Sequence, residues 1–342
     1  MTALLISTLA LLLLWPTISF AQSMRPHGSS SYDIVSNLSA VPAPRSSFGL
    51  HDTPIIGGSS DLDRAFRDWE DLNVSWITVL DAREELLRRA NQAGITVINR
   101  VYSRSIFEPG DLRGDTRRMV RYGMRYVIPY NEPNLIGENA GRTPDPIDFA
   151  QRWIAAAEVI HAEGGYPVLT PLAPEGDHPD VDYFQKYLGA VVAAKGAQWL
   201  LDYHVAVGVH SYILRPTDSY LGRFQTYDSI VRQVVGQSLP MLGTEGGVVM
   251  GKEHPSNTAD VALAKTLEIV KQVQQPDWPR HILAATVWLY SNKAQGGHDD
   301  QFEQYAWLGQ RGPQPVFQEV MLRFGPRLDP DPSTGLLIDM TP

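Results

Sequence analysis

Two glutamates stand where chemistry can be done. Glu132 lies in Asn131-Glu132-Pro133 and Glu245 in Thr244-Glu245-Gly246-Gly247, and each closes a short apolar run, "RYVIPY" from residue 125 and "LPMLGTE" from residue 239. A buried strand that ends on a carboxylate needs a reason, because an unpaired charge is costly away from water. Two carboxyl groups about 5 to 5.5 Å apart are what double displacement at a sugar acetal requires: one protonates the departing oxygen, the other attacks the anomeric carbon. A wider pair leaves room for water and inverts instead. In such a pair apolar surroundings and a negative neighbour raise the acid, while donated hydrogen bonds keep the nucleophile ionised. Tyr212, in His210-Ser211-Tyr212, is a plausible donor to Glu245.

The elements that must position this pair are legible as an alternation. Eight apolar, β-branched runs begin near residues 47, 74, 95, 125, 166, 205, 239 and 282, separated by stretches of helical period. From Asp145 to Gly164, Phe149, Ala150, Trp153, Ile154, Ala157 and Ile160 share one stripe; from Ala259 to Gln274, Val261, Ala264, Leu267, Val270 and Val273 do the same. Eight strands alternating with helices fit a closed (β/α)8 barrel (TIM barrel, α/β class) better than a doubly wound sheet. No G-x-G-x-x-G or G-x-x-x-x-G-K stretch follows any strand, which removes the main support for dinucleotide or P-loop binding. The strands occupy the chain from residue 46 to its end, so a single domain over 46–342 is expected. In that barrel the strand ends form the catalytic mouth. The fourth and seventh strands lie three places apart around the ring, so Glu132 and Glu245 point across the same opening. His210 and Tyr212 close the sixth strand, and Trp288 and Tyr290 lie late in the eighth.

"NEP" closing the fourth strand, "HSY" the sixth, "TEGG" the seventh and Trp288 on the eighth resemble the clan A glycoside hydrolases, over roughly residues 46 to 325. The resemblance implies retaining hydrolysis of O-glycosidic bonds in a poly- or oligosaccharide, with Glu132 as general acid/base and Glu245 as nucleophile. It implies that Asn131 contacts the sugar 2-hydroxyl, that Tyr212 steadies the nucleophile, that His210 joins the polar network, and that Trp288 is a platform beneath the sugar. Many members carry an arginine at an early strand end near the nucleophile; Arg100 ends the third run here.

Each residue also has a plainer reading. Glu132 could be a loop carboxylate capping the next helix, and Glu245 a charge beside a Gly-Gly turn whose glycines could equally let a sugar approach the backbone. His210 could be a hydrogen-bonded core histidine and Trp288 a core aromatic. Glu175, Asp177 and His178 after the fifth strand, and His298, Asp299 and Asp300 after the eighth, read as solvated loop charge sooner than as outer sugar subsites. A barrel that binds carbohydrate without cleaving it, and a transglycosylase using the same pair, are the alternative functions.

The rest of the chain narrows the setting. The apolar run from Ala3 to Trp15, Pro16, and small residues at Ser19 and Ala21 read as a signal peptide over 1–21, with a retained anchor as the alternative. A Ser- and Pro-rich lead-in follows over 22–45. Both readings make the protein secreted or held in the cell envelope, with no membrane insertion once the signal is cut. The formal charge of −9 opposes nucleic acid as a partner. With no cysteine, thiol nucleophiles and zinc-thiolate sites are excluded. Neither H-E-x-x-H nor G-x-S-x-G occurs, so no metal, no cofactor and no serine-hydrolase elbow are expected. Sugar, linkage and oligomeric state leave no trace in the sequence.

Overall fold

A computed structural model describes residues 46–53, 57–292 and 300–325. The leader over 1–21, the lead-in over 22–45, His298 and Asp299 lie outside them.

Eight parallel strands close into a barrel in sequence order: β1 (Phe48–His51), β2 (Trp76–Leu80), β3 (Thr96–Arg100), β4 (Tyr126–Ile128), β5 (Tyr166–Leu169), β6 (Ala206–Ile213), β7 (Met241–Val248) and β8 (Ile282–Val287). Each begins in one of the eight apolar runs, but β7 continues through Gly246 and Gly247 to Val248, past the Glu245 expected to close it. Strands buried on both faces read as continuous apolar stretches, which is why the runs are visible without alternation. The helices α1 (Leu62–Asp71), α2 (Glu84–Ala93), α3 (Leu112–Arg121), α4 (Pro146–Ala162), α5 (Asp180–Lys195), α6 (Ala197–Asp202), α7 (Tyr220–Val235), α8 (Ala259–Val273) and α9 (Pro315–Phe324) are the outer layer. A small antiparallel pair, β9 (Leu308–Gly309) and β10 (Gly312–Pro313), precedes α9.

The helix starts are chemically marked. Asp145 accepts hydrogen bonds from the backbone of Ile147 and Asp148 ahead of Pro146 at the first turn of α4, and Asp61, Asp111 and Thr258 cap α1, α3 and α8 in the same way. In α4 the buried stripe is the expected one, with Ala156 added. In α8 it is rotated from expectation: Ala264 is exposed and Val261 and Leu267 only half-buried, while Thr266, Ile269, Val270 and Val273 face inward. A buried threonine in an otherwise apolar face hid the true stripe.

Two apolar layers result. Trp76, Ile98, Tyr126, Ile128, Val168, Ala206, Leu242 and Ala284 fill the barrel interior, and a larger cluster lies between strands and helices. Side chains alternate across each strand, so the interior positions that follow toward the strand ends are Arg100 after Ile98 and His210 and Tyr212 after Ala206. The interior therefore passes from an apolar floor to a polar mouth.

One buried carboxyl belongs to the frame. Asp52, immediately after β1, is wholly buried; its Oδ2 accepts from the Ser59 backbone at 2.7 Å while Oδ1 has no partner among the described residues. Burial pushes this carboxyl up from 3.8 to about 7, against the Ser59 hydrogen bond and the Arg83 charge. The folded protein thus holds the proton up to about pH 7, whereas the unfolded chain loses it above 3.8. Stability from this group is full below about pH 4 and is lost as pH rises through 7. Asp52→Asn keeps the oxygen that Ser59 needs and cannot ionise. Calorimetry is expected to find it stabilised by on the order of 2 kcal/mol near pH 8, with the gain vanishing near pH 4.

Candidate active site

The polar mouth is assembled from four strands, β1, β3, β6 and β7, and from the segments that follow β4 and β8. A register shift between β6 and β7 does the decisive placing: Val209 pairs with Gly243, but His210 pairs with Glu245, so Thr244 is an extra residue on β7. Such an irregularity re-aims the side chain beyond it. Without it Thr244 would stand beside His210 and Glu245 would turn outward, since a one-residue slip exchanges the faces of a strand.

Glu245 is nearly enclosed, with 8% of its side chain exposed. Its Oε2 accepts from the Tyr212 hydroxyl at 2.7 Å, and its Oε1 accepts from Arg100 Nη1 at 2.9 Å. His51 Nε2 and His210 Nε2 each lie 3.7 Å from the same Oε1. Both oxygens are thus held by strand-borne donors from β3 and β6.

Glu132 sits just past β4 with φ 34°, in the left-handed region that non-glycine residues seldom occupy. That backbone is pinned: its N–H donates to Pro171 at 3.2 Å and its carbonyl accepts from Leu135 at 3.0 Å. The side chain is 17% exposed, twice as open as Glu245, and its Oε1 lies 2.7 Å from His210 Nδ1. His210 therefore bridges the two carboxylates, one ring nitrogen toward each. Burial alone would lower its imidazole, but the charge of Glu245 and the hydrogen bond and charge of Glu132 outweigh that and raise it above 6.5. His51 goes the other way: burial, reinforced by Arg100 and His210, overcomes the pull of Glu245 and lowers it to about 3, leaving a neutral ring.

One ligand atom each from Glu132, His210 and Glu245 lies within 4.8 Å of the others. That spacing would admit a metal ion, but His210 Nδ1 is engaged by Glu132 and the Glu245 oxygen by Arg100. A cation there would face the Arg100 guanidinium, so the set suits proton chemistry better than metal binding.

The remaining sequence candidates divide. Asn131 joins the centre: its Oδ1 accepts from Arg100 Nη1 at 2.9 Å. Trp288, half-buried, stands at the rim with its ring 4.4 Å from His51 and 5.4 Å from Phe302. The loop charges after β5 are engaged elsewhere, Glu175 with Arg215, Asp177 with the Ile136 backbone and His178 with Asp182. Gly246 does not open the backbone to a sugar, since a Cβ there would come within 2.6 Å of the Tyr220 ring. His51 and Glu138 also belong to the site, beyond the residues the motifs single out. His51 closes β1, whereas β7 continues past Glu245 to Val248 and Glu132 lies beyond the end of β4. A polar residue ending an apolar run marks His51 in the sequence, and Glu138, in an irregular loop, has no such mark.

A scan against protein-family models matches none, and no curated protein matches the sequence. Solved structures match in fold. An endo-β-1,3-glucanase of family GH128 (subgroup I) from Amycolatopsis mediterranei, in complex with laminarihexaose, aligns over 81% of this chain and 99% of its own with 14% identity and a TM-score of 0.50. A subgroup II GH128 endo-β-1,3-glucanase from Pseudomonas viridiflava covers 80% and 98% with 15% identity and a TM-score of 0.51. A GH2 β-galacturonidase from Eisenbergiella tayi bound to galacturonate covers 82% of this chain and 51% of its own with 16% identity and a TM-score of 0.52. The chain therefore has the (β/α)8 barrel of these glycoside hydrolases, and at such identities the likeness is one of fold.

The bridging histidine is open to direct measurement. In an NMR titration, His210 is expected to stay protonated above the ordinary imidazole range. In Glu245→Gln it should fall toward or below 6.5, because burial then prevails. An unchanged titration would mean that the carboxylates do not hold the proton.

Proposed function

We propose that the protein is a retaining glycoside hydrolase that cleaves a β-linked poly- or oligosaccharide, with Glu132 as general acid/base and Glu245 as nucleophile. The observation that carries this reading is the separation of the pair, within 4.8 Å atom to atom across the mouth. Inverting enzymes hold their carboxyl groups about 6.5 to 9.5 Å apart to admit water between them, and retaining ones about 5 to 5.5 Å.

The residues divide the work accordingly. Glu132 gives its proton to the glycosidic oxygen as Glu245 attacks the anomeric carbon, forming a glycosyl-enzyme ester and releasing the leaving sugar. Glu132 then takes a proton from the incoming water, which breaks that ester. Tyr212 and Arg100 hold Glu245 in line for attack, and His210 holds Glu132. Trp288 offers a flat apolar face to a pyranose at the rim. The GH128 barrels among the structural neighbours act on β-1,3-glucan, which makes laminarin the first polymer to try. The leader read over residues 1–21 supports export, where such polymers are met.

The test takes the purified chain from Gln22, with Glu132→Gln and Glu245→Gln, against laminarin and a panel of β-linked glucans, mannans, xylans and galactans. Cleavage of one polymer, with kcat falling by about 10³ or more in both variants, is the expected outcome. The first hemiacetal formed, observed by proton NMR, should keep the β configuration; an α product would sink the double-displacement mechanism. Equal binding by all three proteins without cleavage would make the barrel a carbohydrate-binding module. Transfer to a second sugar would make it a transglycosylase.

A further inference from the structure

A third carboxylate turns back into the site from the loop between β4 and α4. Glu138 Oε1 accepts from Asn131 Nδ2 at 3.3 Å, and the same nitrogen lies 3.5 Å from Glu132 Oε2. At the other end of the amide, Asn131 Oδ1 accepts from Arg100 Nη1, the nitrogen that also binds Glu245. Arginine has only donors to offer, so the amide oxygen must face Arg100 and the amide nitrogen must face the glutamates. Asn131 is therefore clamped between a cation on β3 and an anion in its own loop.

The loop is built to hold that anion in place. The Glu138 carbonyl accepts from the Ile106 backbone at 2.9 Å, tying the loop to the segment after β3. The next residue, Asn139, is buried and donates through Nδ2 to Pro133 at 2.7 Å and to Leu135 at 2.6 Å. The residue beside Glu138 is thus stapled to the residue beside Glu132.

Electrostatics argue against Glu138 as a mere stabiliser. It is half-buried, and burial together with the charges of Glu132 and Glu245 raises its carboxyl, while the Asn131 hydrogen bond and Arg100 oppose. Its second oxygen makes no hydrogen bond among the described residues. A third acid beside two others disfavours its own ionised form, which marks a functional site sooner than a structural ion pair.

We propose that Glu138 is a positioning residue for the reaction: it fixes the Asn131 amide so that Nδ2 faces the sugar held between Glu132 and Glu245. This rests on the hydrolase reading above, and Glu138 acts through Asn131.

The test is a double-mutant cycle on the cleaved polymer, joined to a measurement that needs no substrate. Glu138→Ala should lower kcat about tenfold to a hundredfold with little change in melting temperature, the loss a misplaced contact produces. Because Glu138 acts through Asn131, adding Glu138→Ala to Asn131→Ala should cost nothing further. Glu138→Gln, which keeps an accepting oxygen, should restore most of the rate. Independently, the Asn131 side-chain amide, assigned by nitrogen-15 NMR against Asn131→Asp, should exchange with solvent faster in Glu138→Ala than in the parent or in Glu138→Gln. Additive losses in the cycle, or an amide unmoved by Glu138→Ala, would overturn the proposal. If no polymer is cleaved by the parent, the hydrolase reading fails, and the amide measurement still decides whether Glu138 holds Asn131.

Discussion

The mouth of this barrel depends on satisfying one nearly enclosed carboxylate. Taking Glu245 out of water costs several kcal/mol unless donors replace the hydration shell. Arg100 and Tyr212 supply those donors, and they come from different strands. Arg100 can reach only because β3 ends at the mouth, and Tyr212 only because β6 runs past His210 with its inward alternation intact. Neither donor would meet Glu245 without the extra residue Thr244, which shifts β7 against β6. Closure of the sheet and one irregularity within it are together the condition for the site.

That dependence separates the site into two halves of different construction. Glu245, Arg100, His210, Tyr212 and His51 stand on strands, where the barrel ladder fixes the backbone. Asn131, Glu132 and Glu138 stand on irregular backbone, which needs other support. Two buried asparagines provide it. Asn134 exchanges hydrogen bonds with the Ala173 backbone and donates to His178, docking the loop on the segment after β5, and Asn139 closes the loop on itself. The left-handed backbone of Glu132 is held by this network, since such a conformation persists only where its surroundings over-determine it.

The same contrast explains what the sequence could disclose. The strands and the two glutamates near their mouth ends were legible because a doubly buried strand is a continuous apolar run, and a carboxylate at the end of such a run is conspicuous, even though β7 itself continues to Val248. The helix stripe from Phe149 to Ile160 was legible because every member is apolar. The inward face of α8 was not, because Thr266 occupies a core position that a hydrophobic pattern assigns to the outside. The register shift at Thr244 depends on pairing with another strand and has no local mark. Glu138 reaches the site by the path of a loop, and loop paths follow from tertiary hydrogen bonds such as those of Asn139. His51 does end an apolar run, but the run is only four residues long, and the groups that give the imidazole a role, Glu245 on β7 and Trp288 just past β8, are brought to it by closure of the barrel.

The division into a strand-borne and a loop-borne half has a chemical logic. An attacking carboxylate meets the same anomeric carbon in both steps of a double displacement, so it gains from a rigid strand and from being nearly closed to water. An acid/base must meet first a leaving oxygen and then a water molecule arriving by the same route, so it gains from greater exposure. The exposures follow that order, 17% for Glu132 and 8% for Glu245. His210 reconciles the two demands. It is buried and strand-borne like the partners of Glu245, yet its hydrogen bond goes to the more exposed carboxylate, so the loop-borne group is referenced to the rigid half of the barrel.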